Sequence, residues 1–192
     1  MKYSLLLLFA LAFYGCDLFQ TRSAETPNQP RSNYQPPATP DDLITNFKNS
    51  IIDLNEQNYI ASFPDSNFTN MKFRFDPSNQ AVAQYPVLAG QWTVQKEEQF
   101  FNNLITKVNS NSKIIISLNE ISRSTLGDSV FYTASYALNI PFSDSNLPQD
   151  YQGDLTFKMV RDSRSVWVIY YWQDNKNTEV PSWSELKGRL SY

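Results

Sequence analysis

The sequence predicts an α+β domain: N-terminal helices packed on one face of a curved antiparallel sheet of about four main strands. Three observations carry this. Apolar residues recur with helical spacing only in the first half of the region after residue 39. From residue 113 onward they alternate with polar residues at a period of two. Aromatic residues make up 15% of the chain, with 13 Phe, 11 Tyr and 4 Trp, and such residues suit pleated surfaces.

The first helix begins at Thr39-Pro40-Asp41-Asp42. Thr39 is a capping residue, Pro40 fits the first helical position, and the two aspartates favour the positive end of the helix dipole. Leu43, Phe47, Ile51 and Leu54 follow at spacings of four, four and three, which is one apolar face. A second short helical piece is expected over 57–63, stopped by Pro64. Phe73 and Phe75 alternate with Lys72, Arg74 and Asp76, a short strand ended by Pro77. The stretch 78–90 reads as loop, a length at which loops inside a compact domain are functional or conceal an element.

Thr93 opens the next helix, with Phe100, Leu104 and Val108 on one ridge and Phe101 and Ile105 on the adjacent one. Glu97 and Glu98 fall in its early turns, the favourable end for negative charge. Four strands are then expected, over 113–121, 129–140, 153–162 and 166–172. The second places Val130, Tyr132, Ala134, Tyr136, Leu138 and Ile140 on one face. The fourth is apolar on both faces and belongs in a doubly covered position. Ser182-Trp183-Ser184-Glu185 fits a capping box for a last short helix, with Gly188 as its expected stop.

Ahead of this domain, residues 1–15 read as a leader. Lys2 supplies positive charge, and the apolar run 5–13 is far shorter than the roughly 20 residues a membrane-spanning helix needs. Gly15 and Cys16 follow, and the segment resembles a bacterial lipobox, in which lipid is attached to the cysteine and the chain is cleaved before it. Cys16 is the chain's single cysteine. A triacylated Cys16 holds a protein stably at a membrane, whereas one acyl chain binds only marginally. Residues 16–38 then form the lipidated cysteine and a proline-rich tether, with prolines at 27, 30, 36 and 37 and no apolar period. The folded domain is expected over 39–192. The expected location is the bacterial cell envelope, with inner or outer membrane left open.

Composition excludes more chemistry than it indicates. The chain has no histidine, the commonest general base and metal ligand. With its one cysteine acylated it lacks the parts for zinc, iron–sulfur or His- or Cys-ligated haem sites and for Ser–His or Cys–His catalysis, so no metal and no cofactor are expected. Sixteen basic residues against 19 acidic give a net charge of −3 with no basic stripe, which argues against nucleic acid.

The pattern of the domain resembles the NTF2-like superfamily (cystatin-like α+β, SnoaL-like), and within it the lipid-anchored bacterial members. The residues that carry the resemblance are the capped first helix, Phe73-x-Phe75-x-Pro77, and Trp92 followed by Glu98-x-x-Phe101-x-x-Leu104. The ending carries it too, through Trp167-x-Ile169-x-x-Trp172-x-Asp174 and Trp183-x-x-Leu186-Lys187. The resemblance implies a cone-shaped half-barrel with a cavity between sheet and helices.

The expected function is a non-catalytic module that holds a hydrophobic small molecule, lipid, peptide or envelope protein while the N-terminal lipid keeps it at the membrane. The alternatives are a structural subunit of an envelope complex and an isomerase- or dehydratase-type enzyme, with a buried Asp or Glu as base and Tyr donors such as Tyr132 and Tyr136, and Asp154 at a strand start. No catalytic residue is assigned. Trp92, Tyr132, Tyr136 and Trp167 are the candidate pocket-lining residues, on elements such a cone turns inward.

Overall fold

The computed structural model of the protein describes residues 34–191. The leader, Cys16 and the tether as far as residue 33 lie outside the described residues. The helices are α1 (Pro40–Ile52), α2 (Glu56–Ile60), α3 (Asn79–Gln84), α4 (Val94–Lys107) and α5 (Trp183–Arg189), with a 3₁₀ turn at Pro86–Ala89. The strands are β1 (Arg74–Asp76), β2 (Ile115–Leu126), β3 (Ser129–Asn139), β4 (Asp150–Arg161) and β5 (Trp167–Asn175). They form one sheet in the order β1-β5-β4-β3-β2.

β2 to β5 are antiparallel neighbours, as the alternation predicts. β1 differs: it pairs parallel with β5, Phe75 opposite Trp172, and makes a fifth strand at the sheet's edge. A single extra residue in β2, at Ile121, and another in β5, at Tyr170, interrupt the registers and are the kind of bulge that bends a sheet.

Local chemistry sets the ends of these elements. Thr39 and Asp42 form a complete capping box at the start of α1, and Ser182 and Glu185 form another at α5. Gly127 takes φ +58° at the first position of the two-residue β2–β3 hairpin, where such turns favour glycine. Leu43, Phe47 and Ile51 of α1 and Phe100, Phe101 and Leu104 of α4 are buried in one hydrophobic cluster with the inward residues of the sheet.

Three expectations are corrected. The expected loop 78–90 contains α3, capped by Ser78, and the 3₁₀ turn. Six residues with Ala81 as the one buried member are too few to show a helical period. β2 runs five residues past 121, because backbone pairing with β3 holds its polar outer half although that half is exposed on both faces. Gly188 does not stop α5, which continues to Arg189 with Leu190 at its cap. The glycine is there for close packing: a Cβ at 188 would lie 2.3 Å from Cγ of Tyr85.

Candidate functional site

The interior between sheet and helices is filled by rings. Tyr132, Phe157, Trp172 and Phe75 stand side by side across β3, β4, β5 and β1. The Phe157–Trp172 and Phe75–Trp172 pairs meet edge-on at 5.3 and 5.4 Å. Phe47 descends from α1 onto Phe157 and Trp172, and Trp183 of α5 lies 4.8 Å from Trp172 and 6.0 Å from Phe47. Edge-to-face pairs of this kind contribute about 0.5–1.5 kcal/mol each beyond the area they bury.

Two carboxylates lie inside this aromatic body, and both are fully engaged. Glu97 of α4 and Lys187 of α5 are 0% exposed and form an ion pair, the ammonium reaching both carboxylate oxygens. The Tyr59 hydroxyl and the Trp92 indole N–H also donate to Glu97, each at 2.5 Å. The Lys187 ammonium lies 3.9 Å from the ring centroid of Trp172 and 4.2 Å from that of Phe75, with Phe100 and Trp92 within 5.5 Å. Burial pulls the Lys187 ammonium down to about 8, although Glu97 works in the opposite direction. Burial, reinforced by the Glu97 charge, holds the Tyr59 hydroxyl well above its ordinary value.

Asp174 of β5 is the second carboxylate. It accepts from the Tyr136 hydroxyl at 2.7 Å, the Ser184 backbone N–H at 2.8 Å and the Ser184 hydroxyl at 2.5 Å. Burial raises its pKa, against the pull of these donors. The Tyr136 hydroxyl in turn accepts from the Trp183 backbone N–H at 2.7 Å. The two carboxylates therefore clamp α5 to the sheet and to α4.

The four aromatic residues singled out from the sequence are all buried, but they face four different sets of partners. Trp92 donates to Glu97. Tyr136 belongs to the Asp174 cluster. Tyr132 carries the Arg123 guanidinium 5.5 Å above its ring. Trp167 donates to the Ala38 carbonyl at 3.1 Å. Asp154 projects to the sheet face opposite Leu155, away from the interior. Sequence reasoning missed Glu97 and Asp174 as interior groups. A signal for the first exists, since Glu97 shares the 97–100–101–104 stripe with three buried apolar residues.

Open space lies at the rim. A groove of about 940 Å³ is bounded by the segment 34–36, α2 and the following loop, the approach to β1, the start of α4 and the β4–β5 turn. Ile60, Phe63, Met71, Phe73, Val94 and Val166 give it an apolar lining, edged by Lys72, Gln57, Gln91 and Gln95. A second cleft of about 490 Å³ runs between residues 72–77 and 88–92 and shares Lys72, Phe73 and Gln91 with the groove. Trp92 is on its floor; the other three candidate aromatics line neither space.

No protein-family model and no curated protein matches the sequence. Solved structures do match the fold. A candidate aromatic ring hydroxylase from Novosphingobium aromaticivorans is 13% identical with a TM-score of 0.55, over 77% of this chain and 92% of that one. A conserved protein from Planctomyces limnophilus is 7% identical with a TM-score of 0.55, over 69% and 89%. A nuclear transport factor 2 (NTF2-like) superfamily protein from Salmonella enterica is 13% identical with a TM-score of 0.52, over 72% and 88%. At such identities the likeness is one of fold, and that fold is the NTF2-like cone.

Proposed function

We propose that this NTF2-like domain is a non-catalytic binding module, held at the bacterial cell envelope by lipid on Cys16, and that its ligand or partner seats in the rim groove and not in the heart of the cone. The observation behind this reading is the contrast between interior and rim. The interior is occupied by Phe47, Phe157, Trp172 and Trp183, while about 940 Å³ with an apolar lining opens beside α2 and β1. A hydrophobic small molecule, a lipid chain or an apolar peptide segment suits such a lining. A general base must come within hydrogen-bond reach of a substrate proton. Glu97 is enclosed and triply bonded, and Asp174 likewise, which disfavours the isomerase-type alternative.

The groove is tested with the neutral fluorescent probe N-phenylnaphthylamine on the full chain carrying Cys16→Ser. Met71 is 43% exposed at the groove's edge, so Met71→Glu leaves the core intact. It is expected to weaken probe binding about fivefold or more, the loss of roughly one apolar side-chain contact. Absence of probe binding, or a variant that binds as tightly as the parent, rules the groove out as the site. The anchor is tested separately in cells. Cys16→Ser should move the protein from the membrane to the soluble fraction, and mass spectrometry of the parent should find acyl chains on Cys16. A soluble parent with a free thiol overturns the anchor.

A further inference from the structure

We infer that the cleft beside β1 is a strand-addition site for an extended peptide whose residues alternate acidic and apolar. This rests on the binding reading above and names the partner's chemistry. β1 is the edge of the sheet: one side of its backbone pairs with β5 and the other faces the cleft. Among the described residues no backbone hydrogen bond crosses from 72–77 to 88–92. The cleft is flanked by six consecutive residues on the β1 side, a length of about 20 Å, which is the span of an ordinary strand. An exposed strand edge is a template for another chain, and main-chain pairing there supplies affinity while alternate side chains supply specificity.

The two faces of β1 define what those side chains must be. Phe73 and Phe75 are buried, and with Leu88 and Trp92 they give the cleft an apolar floor. Lys72 and Arg74 point the other way and are exposed. Arg74 has a weak tie to Asp76 at 3.6 Å, and Asp76 accepts from the Tyr171 hydroxyl at 2.8 Å. Two cations thus stand beside one carboxylate in the cleft, on a chain whose net charge is −3. A strand laid beside β1 places alternate residues over the floor and the remainder beside Lys72 and Arg74, where acidic side chains form favourable cross-strand pairs. Charge on a short edge strand also guards against self-association. A guard alone has no use for an apolar-floored cleft beside it.

The experiment is fluorescence anisotropy on the full chain carrying Cys16→Ser, with labelled eight-residue peptides of repeating Glu-Val or repeating Lys-Val. The Glu-Val peptide should bind and weaken with salt, and the Lys-Val peptide should bind at least about tenfold less well. Lys72→Glu with Arg74→Glu should reverse that preference. Methylating alternate backbone nitrogens of the peptide should cost about tenfold or more on one of the two registers, because it removes ladder hydrogen bonds. No Glu-Val binding, no reversal, or indifference to N-methylation at both registers overturns the inference. Met71→Glu and N-phenylnaphthylamine separate the two readings. If the neutral probe binds and the peptide does not, strand addition alone falls; if neither binds, the binding reading falls as well.

Discussion

Replacing Lys187 by methionine is expected to remove about 3–5 kcal/mol of unfolding free energy, the usual cost of leaving a buried charge without its partner. Glu97 would keep its Tyr59 and Trp92 donors but lose its counter-charge inside a body of rings. Adding Glu97→Gln should recover much of the loss, since a neutral amide needs no counter-ion there. Urea unfolding of the parent, both single variants and the double variant measures the coupling. The pH dependence supplies a second readout. Burial sets the native Lys187 at about 8 against an ordinary 10.5, so between those values the unfolded chain holds more protons than the folded one. Stability of the parent should therefore rise with pH across that window, and the methionine variant should lack this part of the rise. A single-variant loss below about 1 kcal/mol would show that the pair does not hold α5 in place, and identical pH slopes would show that burial does not depress Lys187.

Elements whose identity depends on their own residues were legible in the sequence. The Thr39 box, the Ser182 box and the inward face of β3 need only local spacing, and the structure has all three. Features that depend on distant partners were not. β1 was legible as a short strand, but its parallel pairing with β5, almost a hundred residues later, was not. α3 has a single buried residue, and its partner is α5. β2 beyond Ile121 is exposed on both faces and is a strand because β3 pairs with it.

The candidate site shows the same division at the level of side chains. An inward aromatic that lines a cavity and one that fills it leave the same trace in a sequence, because both sit on the apolar face. Tyr136 and Trp92 are inward and buried, yet each polar atom closes on a carboxylate of this chain. Glu97 and Lys187 are 90 residues apart, and charged residues on a helix ordinarily read as its wet side. The rim groove is assembled from five separate stretches, none of which carries a motif.

Whether the cone is filled by its own last helix or holds a ligand there is decided by Trp183. Its ring lies against Phe47, Tyr136 and Trp172, and its indole N–H meets no acceptor among the described residues. Trp183→Ala should therefore cost about 3–5 kcal/mol in a urea melt, whereas Trp183→Phe, which keeps a ring and removes the orphaned donor, should cost far less. The alanine variant also leaves a hollow walled by those rings. Apolar hollows of this kind stay dry and take up benzene or xenon. Xenon uptake near Phe47 and Trp172, read by crystallography or by xenon-induced shifts in the NMR spectrum, should appear in the alanine variant and be absent from the parent. A parent that already takes xenon beside Trp172, with little stability lost in the variant, would mean that α5 is a lid over an open chamber. The ligand would then belong inside the cone, and the rim groove would be its entrance.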